Sequence, residues 1–148
     1  MAEGSVALAA DHAGLELKNA LKAALGERGL EPLDLGVHAR DAVDYPDMAD
    51  LLAGVIAAGR AERGVLVCGT GIGISIAANR HRHLRAALCH DVTGARLARE
   101  HNDAIVLVLG ARTTGSEVAK DCLAAFLDTP FAGGRHAPRV GKLTGPGG

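Results

Sequence analysis

Five short apolar runs, each ending at a polar or glycine-rich turn, alternate along this chain with stretches of helical periodicity, and that alternation restricts the fold more than any other feature. Val6–Ala10 stops at Asp11-His12. Leu15, Leu17, Leu21 and Leu25 then recur at helical spacing, with Lys18 and Lys22 assigned to the other side and Gly29 as the stop. Leu33–Gly36 gives a second strand, and Pro46 opens a helix that turns Met48, Leu51, Leu52, Val55 and Ile56 inward and ends near Gly59. Gly64–Cys68, Arg85–Cys89 and Ala104–Gly110 read as further strands, with helices over Ile72–Asn79, Thr93–Glu100 and Glu117–Asp128. Repeated strand–helix units predict a parallel sheet covered on both faces. The expected class is α/β: a Rossmann-like, doubly wound, five-stranded sheet in three layers. One domain over residues 1–143 is expected, with 144–148 as a flexible glycine-rich tail; beyond Pro130 the pattern thins.

Composition excludes several functions. Aromatics are 2% of 148 residues, so the core is built from Ala, Val, Leu and Ile, and no base-stacking platform exists. A net charge of −1 without a dense basic stretch argues against nucleic acid as a partner. No apolar run approaches the roughly 20 residues that span a bilayer, and the start lacks the features of a secretion signal. Cys68, Cys89 and Cys122 are odd in number and far apart, which suits neither a disulfide framework nor a zinc site and points to a reducing cytoplasm.

Ligands of such sheets sit at the carboxyl ends of the strands, which directs attention to Asp11-His12, Cys68–Thr70, His90-Asp91 and Gly110–Arg112. Cys68-Gly69-Thr70-Gly71-Ile72-Gly73-Ile74-Ser75 follows a strand and opens a helix, so its amides converge on one point that favours an anion. Ile74 stands where a dinucleotide fingerprint needs glycine, and no P-loop lysine follows. A tight turn without a ligand is the bland alternative. Cys68 shifts the balance, because a helix N-terminus acidifies a thiol, and a thiolate beside anion-stabilising amides suits proton abstraction next to a carbonyl. Thr70 is placed to relay a proton; Cys89 and Cys122 read as small buried hydrophobes. His101-Asn102-Asp103 offers an acid–base group and a hydroxyl-orienting amide, or merely helix-capping chemistry. Arg135 and Arg139, four apart, share a face if helical and would grip a phosphate together; a solvated pair is the usual alternative. His81, His83 and His90 lack metal-ligand spacing and read as surface residues.

The arrangement resembles the ribose-5-phosphate isomerase B family of the ribose/galactose isomerases from about Val6 to Leu143. The likeness rests on Asp11-His12-Ala13-Gly14, Asp44-Tyr45-Pro46, the Cys68–Asn79 segment, His101-Asn102-Asp103 and Gly133-Gly134-Arg135-His136. It implies aldose–ketose interconversion of a sugar phosphate through an enediolate, without metal or organic cofactor. By family role Cys68 carries the proton between C1 and C2, Thr70 handles the hydroxyl proton, and the Gly69, Gly71 and Gly73 amides receive the enediolate. His101, aided by Asp11, opens the sugar ring; Tyr45 and Asn102 contact hydroxyls; His12, Arg112, Arg135 and Arg139 bind phosphate. The resemblance also implies a homodimer with shared sites, or a tetramer of two dimers. Some members replace the cysteine by a glutamate at the position of Ile74, so this chain falls on the cysteine side. It departs from common relatives at Asn79-Arg80 and His83-Leu84-Arg85. Rival readings are the same chemistry on allose 6-phosphate or galactose 6-phosphate, a non-catalytic sugar-phosphate or nucleotide-binding module, and a thiol oxidoreductase, disfavoured by the missing resolving cysteine.

Overall fold

The computed structural model describes residues 4–40 and 42–145. Its strands are β1 (Ser5–Ala10), β2 (Glu31–Asp34), β3 (Arg63–Cys68), β4 (Ala86–Leu88) and β5 (Val106–Gly110). They pair in parallel in the order β2-β1-β3-β5-β4. The helices are α1 (Leu15–Glu27), α2 (Tyr45–Ala57), α3 (Ile72–Asn79), α4 (Val92–Asn102), α5 (Ser116–Asp128) and α6 (Ala137–Thr144). This is the expected three-layer doubly wound sheet.

Strand periodicity decides the layering. Val6, Leu8 and Ala10 of β1 face one core with Leu21 and Leu25 of α1 and Leu123 and Phe126 of α5. Ala7 and Ala9, one residue out of phase, face the other with Leu52 of α2 and Ile74 of α3. Crossovers moving toward β2 or back from β4 run on the α1–α4–α5 face, and those moving the other way run over α2 and α3. A single crossover hand is thereby kept.

Three expectations need correction. Leu51, expected to face inward from α2, is exposed, because the buried stripe of that helix runs through Met48, Ala49, Leu52, Ala53 and Val55 and leaves it outside. Lys18 is not on a solvated side of α1: it is fully buried, and its Nζ lies 2.6 Å from Asp34 Oδ1. Lys22 reaches Asp34 Oδ2 at 3.2 Å from the surface, and Gly36 N–H donates to Oδ1 at 3.0 Å. The pairing closes the β1–α1–β2 unit through charge where apolar periodicity suggested only a polar face. The chain also stays regular beyond Pro130. A 3₁₀ turn, Gly134–His136, leads into α6, so Thr144, expected in the tail, is helical and Gly145 caps it at φ 63°. Residues 146–148 lie outside the described residues.

Candidate active site

β1 feeds a crossover toward one sheet edge and β3 feeds one toward the other, so the loops after these neighbouring strands part. Open α/β sheets bind ligands in such a crevice. Here it is a cleft of about 550 Å³ walled by Asp11, His12, Tyr45, Cys68, Gly69, Thr70, Gly73 and Arg112, with Ala13, Ile72 and Ile76.

Backbone constraints bring these groups together. Asp11 Oδ1 accepts from Ala13 N–H at 3.0 Å and Gly14 N–H at 3.2 Å, capping the 3₁₀ turn that leads into α1. Gly14 lies so close to β3 that a Cβ there would stand 2.7 Å from the Val67 carbonyl oxygen, which sets the Asp11 turn beside Cys68. After Cys68 the chain turns into α3 within three residues, through Gly71 at φ 76°. The turned Gly71 N–H donates to Cys68 Sγ at 3.2 Å, which fixes the sulfur at the start of α3. Gly71 caps α3 without a side chain, so first-turn amides are left for a ligand. Ile72 N–H takes Thr70 Oγ1 at 3.2 Å. Tyr45, the first residue of α2, lies against Gly73, where a Cβ would meet its ring carbon Cζ at 2.5 Å. Arg112 donates its N–H to the Gly69 carbonyl at 2.8 Å and folds its side chain over the Gly69 backbone.

The remaining sequence-derived candidates lie elsewhere in the chain. His101 and Asn102 end α4, just before β5, whereas Arg112 follows β5. Five strand residues at about 3.3 Å each put roughly 16 Å between these ends of the sheet. Arg135 lies in the Gly134–His136 turn and Arg139 on α6, both exposed. The His136 ring stacks on His101 with centroids 4.4 Å apart and 15° between planes. Desolvation, then the His101, Arg135 and Arg139 charges, hold His136 below the usual histidine range against the opposing pull of Glu100. So one chain carries two groups of candidates, at opposite ends of its strands. Among the described residues no ion pair occupies Arg112, Arg135 or Arg139.

The family model described as Ribose/Galactose Isomerase matches residues 6–143. The chain belongs to the ribose/galactose isomerase family. It is 43% identical over 139 residues to ribose-5-phosphate isomerase B of Escherichia coli, covering 94% of this chain and 93% of that one. It is 44% identical over 140 residues to D-erythrulose-4-phosphate isomerase of Pectobacterium atrosepticum, covering 94% and 92%. The crystal structure of a ribose 5-phosphate isomerase from Thermotoga maritima superposes with a TM-score of 0.93 at 47% identity, covering 97% of this chain and 99% of that one.

In this isomerase the other two thiols are chemically quiet. Burial first, then Cys122 and Asp91, pushes the Cys89 thiol up to about 12, and burial likewise raises Cys122. A second concavity, of about 580 Å³, lies at the amino ends of β1 and β3. Its arginines are already committed, Arg28 to Asp128 and Arg63 to the Phe126 and Leu127 carbonyls, so it offers no comparable chemistry. Among the described residues no three His, Cys, Asp or Glu side chains gather as a metal cluster, and no helix is long and apolar enough to cross a membrane. His81 and His83 are half-buried and not merely solvated, bonding Asp50 at 2.7 Å and the Ala53 carbonyl at 3.0 Å.

Sequence reasoning missed Ile72 and Ile76 in the cleft wall. The signal was present: α3 is apolar all round, which marks a helix covered on every side, yet Ile72 is 54% and Ile76 63% exposed in the single chain.

Proposed function

We propose that this isomerase interconverts ribose 5-phosphate and ribulose 5-phosphate through an enediolate, with Cys68 as the base, in sites each assembled from two copies of the chain. The observation that carries the reading is the Cys68 sulfur, 3.2 Å from the Gly71 N–H at the start of α3, in the cleft that also holds Asp11, His12 and Arg112.

The Cys68 thiolate takes the proton from C2 of the open-chain aldose and returns it to C1. C2 is thereby oxidised to the ketone and C1 reduced to the alcohol, with no external electron acceptor. Charge on the enediolate oxygens meets the Gly69–Gly73 amides and the positive end of α3, which are in place before the reaction. Thr70 passes the hydroxyl proton between O1 and O2. His12 and Arg112 hold the phosphate from one side and Tyr45 contacts a sugar hydroxyl. His101 and Asn102 of the partner subunit, with Asp11, open the ring and orient it, and Arg135 and Arg139 of the partner subunit complete the phosphate grip.

Three facts support sharing between chains. The two candidate groups are too far apart to meet within one molecule; among the described residues the arginines in both groups lack ion pairs; and Tyr45, at the start of α2, forms with Ile72 and Ile76 of α3 an exposed apolar strip in the cleft wall. An apolar strip of this kind marks an association surface. A homodimer, or a tetramer of two such dimers, in a reducing cytoplasm suits a chain whose three cysteines are free thiols.

Substrate length is the open point of specificity, since a relative named for a four-carbon substrate is as similar as one named for the pentose. The test is steady-state conversion of ribose 5-phosphate, erythrose 4-phosphate and allose 6-phosphate by the purified protein and its Cys68→Ala variant. Preference for the pentose, with turnover falling by about 10²–10⁴-fold or more in the variant, is the expected result. Preference for the tetrose or hexose would reassign the substrate, and an active Cys68→Ala protein would remove Cys68 as base.

A further inference from the structure

We infer that Arg85 is a positioning residue for the shared site: with Asp103 it holds His101, Asn102 and the Arg135–Arg139 segment as one block for presentation to the partner's cleft. The inference rests on the two-chain reading above and adds a part of the machinery that touches neither Cys68 nor substrate.

Among the described residues, Arg85 at φ 35° and Asp103 at φ 47° are the non-glycine residues with left-handed backbone, and they are bonded to each other. Such conformations persist only where the surroundings over-determine them. Arg85 Nε donates to the Asp103 carbonyl at 2.9 Å, Nη2 approaches Asp103 Oδ2 at 3.4 Å, and Nη1 donates to Thr144 Oγ1 at 2.9 Å. The Arg85 carbonyl accepts from Ile105 N–H at 3.1 Å. One fork therefore spans the α4–β5 bend and the far end of α6.

Asp103 extends the frame. Its Oδ1 accepts from Arg99 Nη1 at 2.7 Å, and buried Arg99 in turn donates to the Ala104 carbonyl at 2.8 Å and the Thr129 carbonyl at 3.2 Å. Thr129 is where α5 hands over to the segment that carries Arg135. Ala132 N–H donates to the Glu100 carbonyl at 3.0 Å, and His136 stacks on His101. Both ends of residues 129–144 are thus tied to the turn that carries His101 and Asn102. A lysine at 85 could not reproduce the planar, multi-pronged geometry.

Because Arg85 lies at the amino ends of the strands and Cys68 at the carboxyl ends, its influence on turnover must be exerted in the partner's site. The experiment uses hybrid dimers purified from two differently tagged chains. Arg85→Gln is paired with Cys68→Ala, and His101→Ala with Cys68→Ala serves as control. Asp103→Asn, whose residue tolerates left-handed backbone, repeats the test should Arg85→Gln fail to fold. The Arg85→Gln homodimer should stay dimeric and lose roughly 10–100-fold in kcat, the scale of a small misplacement of reacting groups. Its hybrid should recover half the wild-type turnover, because one of its two sites is built wholly from unaltered residues. If the control hybrid recovers and the Arg85 hybrid does not, Arg85 acts within its own chain and the inference fails alone. Wild-type kcat in both homodimers would also overturn it. If the control hybrid stays inactive, the shared site itself is wrong, and the positioning role falls with it.

Discussion

A sulfur atom at the end of a strand does nothing unusual until its neighbours differ from those of other sulfurs in the same molecule. Cys89 and Cys122 are enclosed by the α1–α4–α5 core, where burial keeps a thiol protonated. Cys68 opens on the cleft and accepts an amide N–H. Lys18 and Asp34 show the same dependence on surroundings in a structural role. Burial alone would raise the Asp34 carboxyl, but the Lys18, Gly36 N–H and Lys22 hydrogen bonds and the Lys18 charge outweigh it, so it sits below its ordinary value of 3.8. A carboxyl lowered on folding contributes stability that is present above its unfolded pKa and lost as pH falls through the folded one. Asp34→Asn leaves buried Lys18 without its counter-charge and should lower stability at pH 7 by about 3–5 kcal/mol. Urea unfolding at pH 7 and then below pH 4 checks this: the gap between wild type and variant should narrow as Asp34 protonates, and a gap independent of pH would remove the ion pair as its cause.

At the scale of elements, the β3–turn–α3 unit, which carries the proposed base, was the most legible part of the chain. Its strand end, its glycines and the start of its helix all follow from neighbours in sequence. Gly71 is the residue on which the turn depends, since φ 76° disfavours a side chain and a Cβ would stand 2.5 Å from Leu88 Cδ1. Gly71→Ala should lose about 1–2 kcal/mol from the left-handed conformation alone, more once Leu88 is displaced. Turnover should fall with it as the sulfur loses its donor. Unfolding curves and kcat measured together decide the point; unchanged values of both would mean the turn relaxes freely. α6 is the opposite case. Only Val140 among its eight residues is buried, so packing against the core does little to hold it. It is held instead by the Arg85–Thr144 bond, by its 3₁₀ lead-in and by Pro138 in its first turn.

For the whole molecule, the proposed two-chain site predicts that a second copy covers the exposed apolar strip of Tyr45, Ile72 and Ile76. Ile76→Glu would place a charge in that strip beside the cleft without disturbing the core, because residue 76 is exposed in the single chain. On that reading sedimentation should report a dimeric wild type and a monomeric variant, with activity lost in proportion while circular dichroism stays unchanged. A fully active monomer would sink the two-chain site.

What the sequence alone determined is whatever is written within a few residues: the alternation that makes a doubly wound sheet, the polar residues that end its strands, and the thiol before a helix start. Cys68, Asp11, His12 and Arg112 were legible for that reason, Tyr45 only through the family resemblance, and the folded chain gathers all five in one cleft. Only the tertiary structure decided that Lys18 is a core residue, that Arg85 clasps Asp103, and that His101 and Arg139 stand at the other end of the sheet from Cys68. These depend on contacts 16 to 59 positions apart and on the direction in which parallel strands run. Local periodicity records which face of a helix is apolar. It does not record which distant charge that face will meet.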